Sequence, residues 1–242
     1  MHRYHIALSA PVFALLTALP GTGQSPRAEK TNGVTAIDVL LDPDWRMLER
    51  ARAANDRLRK VYPKGFALDE THRPHVSCLQ RYVNTADLDK VYAAVGKVLA
   101  EENPGAWRLK AIKYDFAVWD KLGIVVMVVE PTDDLVRFQK KLIDAVAPYT
   151  VKTGTATAFV TTKKDPDINK PTIDYVTTYV PDGSGKKFIP HVTVGVAPPE
   201  DAKKMRDETF DAFTFSPVGV SVSQLGNFGT DAKQLRSWQL KP

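Results

Sequence analysis

The chain has 242 residues, of which 43% are hydrophobic and 25% are charged, and its formal net charge is +5. This is an ordinary globular balance, with enough residues for one sizeable core or two small lobes. The single cysteine, Cys78, excludes an internal disulfide. The mild positive charge suits a ligand that carries phosphate but does not require one.

Residues 1–23 have the order of a secretory signal peptide: basic MHRYH, apolar IALSAPVFALLTAL, then small and polar residues. The apolar run is too short to cross a membrane comfortably, and no second run of that length follows. We therefore expect cleavage near Gly23, a linker over 24–33, and a secreted or periplasmic protein without stable membrane insertion. An uncleaved anchor is the alternative. Export removes ATP and nicotinamide cofactors, which argues against kinases, ATP-dependent ligases and dehydrogenases.

Hydrophobic periodicity predicts alternating strands and helices in the first half of the mature chain. TAIDVLLDP alternates and is rich in branched residues, as is typical of a strand, and GIVVMVVE is predicted to be buried on both faces. The predicted strands cover 35–43, 75–83, 107–118 and 123–130, and the predicted helices cover 44–60 and 84–102.

A similar series follows in the second half. TATAFVTT and IDYVTTYV are rich in β-branched residues and are predicted as strands. The polar stretch 163–171 is either a lid or a solvated loop. The predicted helices cover 132–146 and about 199–206, and the predicted strands cover 155–162, 173–180, 188–197, 213–223 and 234–240.

Short antiparallel strands with interspersed helices predict an α+β fold. The repeated order indicates duplication of a lobe of about 100 residues. We expect a single domain over 34–242 that consists of two pseudo-symmetric lobes, approximately 34–130 and 131–242, with outer helices around a central cleft.

Two similar tetrapeptides, HVSC and HVTV, begin at His75 and His191, each directly after a proline. Because side chains alternate along a strand, His75 shares a face with Ser77, and His191 shares a face with Thr193. Each strand then sends its apolar pair into a core and its His–hydroxyl pair the opposite way. If the lobes are related by an approximate twofold axis, the two pairs face one another across the cleft.

Such an arrangement suits acid–base chemistry at a phosphodiester. Two imidazoles that titrate near neutral pH can divide the roles of general base and general acid. Two hydroxyls can donate hydrogen bonds to a non-bridging phosphate oxygen. This chemistry requires neither a metal nor a cofactor.

The duplicated motif resembles that of the two-histidine (2H) phosphoesterases, which include the 2′-5′ RNA ligase and cyclic phosphodiesterase families. The resemblance covers about 34–240 and implies two lobes of antiparallel strands around a V-shaped cleft. It implies that His75 and His191 are the acid–base pair and that Ser77 and Thr193 bind phosphate. Which histidine is the acid stays open.

Two further residues are candidates for substrate binding. Arg81 is an even number of residues from His75, so it shares that face if the strand stays regular; it is either a phosphate contact or a rim charge. Tyr82 is a candidate to stack on a base, with core packing as the alternative. No metal is expected, because His72 and His75 lie three apart on a strand and no further ligand joins them.

The sequence therefore predicts a metal-independent, cofactor-free and monomeric phosphoesterase. Its predicted substrate is a 2′,3′-cyclic phosphate or a related nucleotide or RNA-end phosphodiester. Two alternatives remain: 2′-5′ RNA ligation by reversal of the same chemistry, and a non-catalytic protein that binds a phosphorylated ligand in the same cleft.

Overall fold

The computed structural model describes residues 33–119, 121–163 and 165–241. The predicted signal peptide over 1–23, and the linker 24–33 apart from its last residue, lie outside the described residues. Within the described part, no helix is long and apolar enough to cross a membrane.

The described strands form one sheet in which all pairings are antiparallel. Together with the helices, this sheet confirms the predicted α+β class. The strands are β1 (Val34–Pro43), β2 (Val76–Asn84), β3 (Leu109–Trp119), β4 (Leu122–Val129), β5 (Thr150–Val151), β6 (His191–Ala197), β7 (Phe213–Phe215), β8 (Pro217–Leu225) and β9 (Asp231–Gln239). Their order across the sheet is β7-β3-β4-β6-β2-β1-β8-β9, and β5 pairs with β2.

The α-helices of the described residues are α1 (Trp45–Val61), α2 (Leu88–Glu101), α3 (Asp133–Val146), α4 (Lys170–Gly183) and α5 (Pro199–Arg206). Apolar residues of α1, α2, α3 and α5 pack into the main core with one face of the sheet. Helix α4 instead packs on the other face, in a smaller core that contains Tyr82 and Val176. The predicted outer position of the helices is therefore correct for four of these five.

Eight of the nine strands, all except β5, form two four-stranded halves that meet at the motif strands β2 and β6, where Val76 pairs with Val192. One half contains β7, β3, β4 and β6, and the other contains β2, β1, β8 and β9. Each half therefore takes strands from both parts of the sequence. Strands β8 and β9 come late in the sequence, yet β8 pairs with β1. The predicted lobe boundary near Pro131 therefore does not divide the sheet into its two halves, and that prediction is wrong.

The segment 173–180 lies in a helix, and the strand predicted there is wrong. Asn169 caps the helix, because its side chain accepts a hydrogen bond from the backbone N–H of Thr172 at 2.8 Å. The buried residues Thr172, Val176 and Tyr179 follow the spacing of one helix face. Capping and burial thus outweigh the β-propensity of the branched residues.

The strand predicted over 155–162 is also absent. A single 3₁₀ turn, Ala156–Ala158, occupies this segment. The N–H of Val160 donates to the carbonyl of Leu225 at 2.9 Å, so the segment borders the end of β8 through one bond rather than a ladder.

Asn227, in the turn before β9, forms hydrogen bonds with the stretch 163–171 that was predicted as a lid or a solvated loop. Its side-chain oxygen accepts from the N–H of Asn169 at 3.0 Å, and its amide donates to Asp165 at 3.2 Å. The loop ends at Asn169, which is the N-cap of α4, so Lys170 and Pro171 of the predicted stretch belong to the helix.

Candidate active site

The two motifs come together where the halves of the sheet join. The pairing of Val76 with Val192 places β2 beside β6. The four motif side chains line one cleft of about 440 Å³: His75, Ser77, His191 and Thr193. This volume is in the range of small-molecule sites. The structure thus brings together the four residues that the motif predicted to share a site.

Both histidine rings are held by the backbone carbonyl two residues earlier. Nδ1 of His75 lies 2.7 Å from the carbonyl oxygen of Arg73, and Nδ1 of His191 lies 2.7 Å from that of Ile189. A carbonyl can only accept, so each Nδ1 donates and carries the ring proton of the neutral form. Nε2 of each ring is therefore the nitrogen left to take or give a proton.

A β-bulge follows the hydroxyl residue in each motif. The register of β2 against β1 skips Cys78, directly after Ser77. The register of β6 against β4 skips Val194, directly after Thr193. An inserted residue interrupts strict alternation and increases the local twist. The two motifs are therefore alike in backbone geometry as well as in residue type.

Helix α1 holds the second bulge in place. The amide of Asn55 donates to the carbonyl of Val194 at 2.9 Å, which satisfies a group that the bulge removes from the ladder. The next residue, Gly195, has φ +152°, and a Cβ there would lie 2.9 Å from the same amide. Glycine at this position lets α1 approach β6 closely.

The bulge at Cys78 also decides where Arg81 points. Beyond the bulge, Gln80 faces and lines the cleft. Arg81 pairs with Ile37, which belongs to the main core, and is not among the described residues that line the cleft. The predicted shared face with His75 is therefore wrong, because it assumed an unbroken alternation. Partial burial lowers the pKa of Arg81.

Tyr82 lies in the smaller core and not in the cleft. Its side chain is 1% exposed, its hydroxyl donates to the carbonyl of Ile173 at 2.9 Å, and its ring meets Phe159 edge-on. A ring covered in this way has no face on which a base can stack. The alternative of core packing is therefore correct, and the predicted substrate contact is wrong.

Asp38 on β1 is a site residue that the motif did not reveal. Its side chain is fully buried, and Oδ2 accepts hydrogen bonds from Oγ of Ser77 and from Nε2 of Gln80, the latter at 3.0 Å. The same oxygen lies 3.6 Å from Nε2 of His75. Burial raises the pKa of Asp38 to about 6, although His75 and the two hydrogen bonds act in the opposite direction.

The sequence did contain a signal for Asp38. In TAIDVLLDP it is a lone carboxylate in the middle of an apolar, alternating strand. A buried carboxylate needs a partner, so such a residue indicates either a structural ion pair or a site. Its position opposite Gln80 depends on the pairing of β1 with β2, which the sequence alone does not give.

An ion pair between the partly exposed Arg73 and the buried Asp231 anchors the segment before His75. Nη2 of Arg73 lies 2.5 Å from Oδ2 of Asp231, whose side chain is 1% exposed. Nη1 of Arg73 donates to the side chain of Gln234 at 3.0 Å. Because the carbonyl of Arg73 holds the ring of His75, these contacts to the start of β9 position that ring.

The electrostatic surroundings of His191 favour its neutral form. Burial of the ring lowers the pKa of His191, and the nearby charge of His75 lowers it further, while the bond to the Ile189 carbonyl opposes both effects. His191 therefore stays neutral to a lower pH than an ordinary histidine.

Helix α4 supplies one side of the cleft. The hydroxyl of Tyr179 donates to the carbonyl of Ser77 at 3.0 Å, so this ring supports the first motif. Tyr175, one turn earlier, lines the cleft together with Trp119 of β3, and their ring centroids are 5.1 Å apart.

His72 and Cys78 are not among the described residues that line the cleft with His75 and His191. His72 stacks on Phe66 with ring centroids 4.8 Å apart, and its Nδ1 lies 3.2 Å from Asp69. Cys78 is fully buried in the main core, as predicted, and burial raises the pKa of its thiol. Among the described residues, no group of three or more His, Cys, Asp or Glu side chains is arranged to hold a metal ion.

Known proteins share this arrangement of strands and helices. The model of the 2′-5′ RNA ligase superfamily matches residues 40–232. The protein TT0787 of Thermus thermophilus has a similar structure, with a TM-score of 0.50, 14% identity, and coverage of 85% of this chain and 98% of its own. At that identity the likeness concerns the fold alone.

Two further solved structures match over nearly their whole length. E. coli LigT complexed with NADP⁺ is 15% identical, with a TM-score of 0.42 and coverage of 86% of this chain and 99% of its own. Kluyveromyces marxianus Usb1 is 10% identical, with a TM-score of 0.42 and the same coverages. No curated protein matches the sequence.

Proposed function

The chain belongs to the 2′-5′ RNA ligase superfamily, and from that premise we propose that it is a metal-independent phosphoesterase that hydrolyses a 2′,3′-cyclic phosphate or a related nucleotide phosphodiester. Members of this superfamily are generally enzymes. One observation carries the proposal: two imidazoles line one cleft, each with Nδ1 bound to a carbonyl and Nε2 left for proton transfer.

In this proposal His191 is the general base. Its lowered pKa keeps Nε2 unprotonated near neutral pH. Nε2 takes a proton from water as the water oxygen forms a bond to phosphorus. The bond from phosphorus to one ribose oxygen breaks, and the ring is left open with a phosphomonoester.

His75 is the general acid. Its protonated ring gives the Nε2 proton to the departing ribose oxygen. Asp38 supports this assignment, because the protonated ring forms an ion pair with the buried carboxylate across 3.6 Å. After one turnover His191 has gained a proton and His75 has lost one, and exchange with solvent restores both.

The two hydroxyls have unequal roles. Thr193 supplies a donor for a non-bridging phosphate oxygen. The hydroxyl of Ser77 already donates to Asp38, so it reaches a phosphate only after that bond is exchanged. We therefore assign the larger part of phosphate binding to Thr193.

The alternatives differ from hydrolysis in ways that can be measured. Ligation to a 2′-5′ linkage uses a ribose hydroxyl in place of water, with the same two histidines and no ATP. A non-catalytic protein uses the cleft for binding only, and then nothing requires two titratable rings.

The test uses the purified protein with 2′,3′-cyclic AMP in the presence of EDTA. We expect hydrolysis to persist, and His75→Ala and His191→Ala each to lower kcat at least about 100-fold. His72→Ala, which alters a histidine outside the constellation, is the matched control and keeps its activity. Binding without hydrolysis supports the non-catalytic alternative, whereas loss of activity in EDTA that Zn²⁺ restores contradicts the proposal.

A further inference from the structure

The two walls of the cleft differ in chemistry. On the first wall, the cleft is lined by the polar side chains of Ser77 and Gln80 on β2, and both of them donate to the buried Asp38 on β1. On the second wall, β4 turns alternate residues into the main core. The residues of β4 between them line the cleft, and all are apolar: Ile124, Val126 and Val128.

The apolar wall lies directly beside the reacting groups. Val128 pairs with His191 and Val126 pairs with Thr193, so each apolar side chain is the cross-strand neighbour of a motif residue. Ile124 and Val128 are each 5% exposed, and neither belongs to the clusters of the two cores. Both side chains therefore belong to the surface of the cleft and not to either core of the protein.

Aromatic and apolar side chains continue this surface to the mouth. Trp119 and Tyr175 lie against each other on one side of the opening. Ile189, two residues before His191, lines the cleft and is 63% exposed. Apolar and aromatic side chains that line a concave site are the usual contacts for an apolar part of a ligand.

Positive charge is scarce at the opening, although the chain carries a net charge of +5. Apart from the two histidines, Lys187 is the one cation among the described residues that line the cleft. Its Nζ donates to the carbonyl of Pro181 and lies 3.9 Å from Asp182. Asp115 and Asp182 also line the cleft. A protein that holds a nucleic acid chain needs several Lys or Arg side chains for its phosphates.

We infer that the cleft takes a small phosphodiester with a single charged phosphate and an uncharged aromatic or apolar group, and not the end of a nucleic acid chain. The phosphate lies between His75 and His191, and the apolar group lies on the β4 wall with Trp119 and Tyr175 at its edge. The volume of about 440 Å³ suits a molecule of nucleotide size. This inference rests on the proposed function and narrows its substrate class.

Binding tests the inference separately from catalysis. Isothermal titration calorimetry would measure four probes: inorganic phosphate, phenyl phosphate, adenosine 3′-monophosphate, and a hexanucleotide that ends in a 3′-phosphate. We expect the adenosine nucleotide or phenyl phosphate to bind at least about tenfold more tightly than inorganic phosphate. We expect the hexanucleotide to bind no more tightly than the mononucleotide, with little change in Kd between low and moderate salt.

The two aromatic probes distinguish the sources of the apolar group. Equal affinities indicate a general aromatic substituent, and a preference for the nucleotide indicates a nucleobase; both outcomes support the inference. A hexanucleotide that binds tenfold more tightly than the mononucleotide and weakens steeply with salt overturns it. Equal affinity of inorganic phosphate and both aromatic probes also overturns it.

Variants locate the apolar group. Trp119→Ala is expected to weaken the aromatic probes about fivefold or more and to leave inorganic phosphate unchanged. Trp45→Ala, at a 69% exposed tryptophan of α1, is the matched control. Val126→Thr keeps the side-chain shape and adds a hydroxyl, and it is expected to weaken the same probes about threefold. Unchanged binding in both cleft variants contradicts the inference.

Hydrolysis of 2′,3′-cyclic AMP by the same samples reports on the proposed function alone. If the aromatic probes bind as expected without hydrolysis, the proposed function fails and the ligand class stands. If hydrolysis occurs without discrimination between the probes, the ligand class fails and the proposed function stands.

Discussion

Nε2 of His75 lies 3.6 Å from Oδ2 of Asp38, and the same carboxylate oxygen accepts the hydroxyl of Ser77. The first motif is therefore tied to a buried acid on the neighbouring strand. No such carboxylate is among the described residues that surround His191 in its hydrogen bonds and electrostatic contacts. This asymmetry between the two motifs underlies the different roles assigned to the two rings.

Replacing Asp38 is expected to impair the acid without displacing the ring, because the Arg73 carbonyl still holds Nδ1 of His75. Asp38→Asn should lower kcat about tenfold or more and remove the part of the pH–rate profile near pH 6 that follows the ionisation of Asp38. The measurement is kcat as a function of pH for both proteins. A uniform loss at every pH would indicate only a structural role for Asp38.

The raised pKa of Asp38 also predicts a pH dependence of stability. Its pKa is 3.8 ordinarily and about 6 in the folded protein. The folded state therefore keeps this proton where the unfolded chain has released it. This difference contributes about 3 kcal/mol to the free energy of unfolding. The contribution is fully present below about pH 4 and is lost as the pH rises through about 6.

Asp38→Asn removes that contribution. Urea unfolding between about pH 4 and pH 7 should show a shallower decline for the variant than for the wild type, so the difference between the two proteins shrinks or reverses at higher pH. Parallel curves for the two proteins contradict the raised pKa.

The lowered pKa of His191 is measurable without any substrate. NMR titration of the ring protons should give a pKa below the ordinary 6.5, because burial disfavours the charged ring and His75 repels it. In His75→Gln the pKa of His191 should rise, since one repulsive charge is gone. The acid limb of kcat/KM should correspondingly lie below pH 6.5. A pKa of His191 above the ordinary value contradicts its assignment as the base.

Tyr82 separates a core role from a substrate role. Tyr82→Phe removes the hydrogen bond to the carbonyl of Ile173 and should lower the free energy of unfolding by about 1 kcal/mol. Under the proposed function, kcat/KM should be unchanged, and Arg81→Gln should likewise leave it unchanged. Thermal unfolding and steady-state kinetics check both variants. A change in KM without a change in stability would support the original prediction that the altered residue contacts the substrate.

Much of the site could be predicted from sequence because its chemistry is local. The histidines, the hydroxyls and the alternation over three residues follow directly from the two tetrapeptides. The sequence could not show that Gln80, and not Arg81, lines the cleft. The bulge that decides this is visible only in the register of β2 against β1. Asp38 was missed for a related reason, since its role depends on the strand that lies beside it.

The fold shows the same division. The α+β class and most elements follow from periodicity, which is a local property. Helix α4 was missed because β-branched residues in 173–180 favour a strand, whereas the Asn169 cap and the burial of one helix face decide otherwise. Each half of the sheet contains strands from both parts of the sequence, and the second half does so because β8 pairs with β1, a long-range contact that no local pattern records.

The central claim is that His75 and His191 act as one acid–base pair, and a double-mutant comparison tests it most directly. The rate of 2′,3′-cyclic AMP hydrolysis in EDTA would be measured for the wild type, His75→Ala, His191→Ala and the double variant. If the rings act as a unit, the double variant should be about as slow as the slower single variant. Losses that multiply in the double variant, or a single variant with the wild-type rate, would contradict the claim.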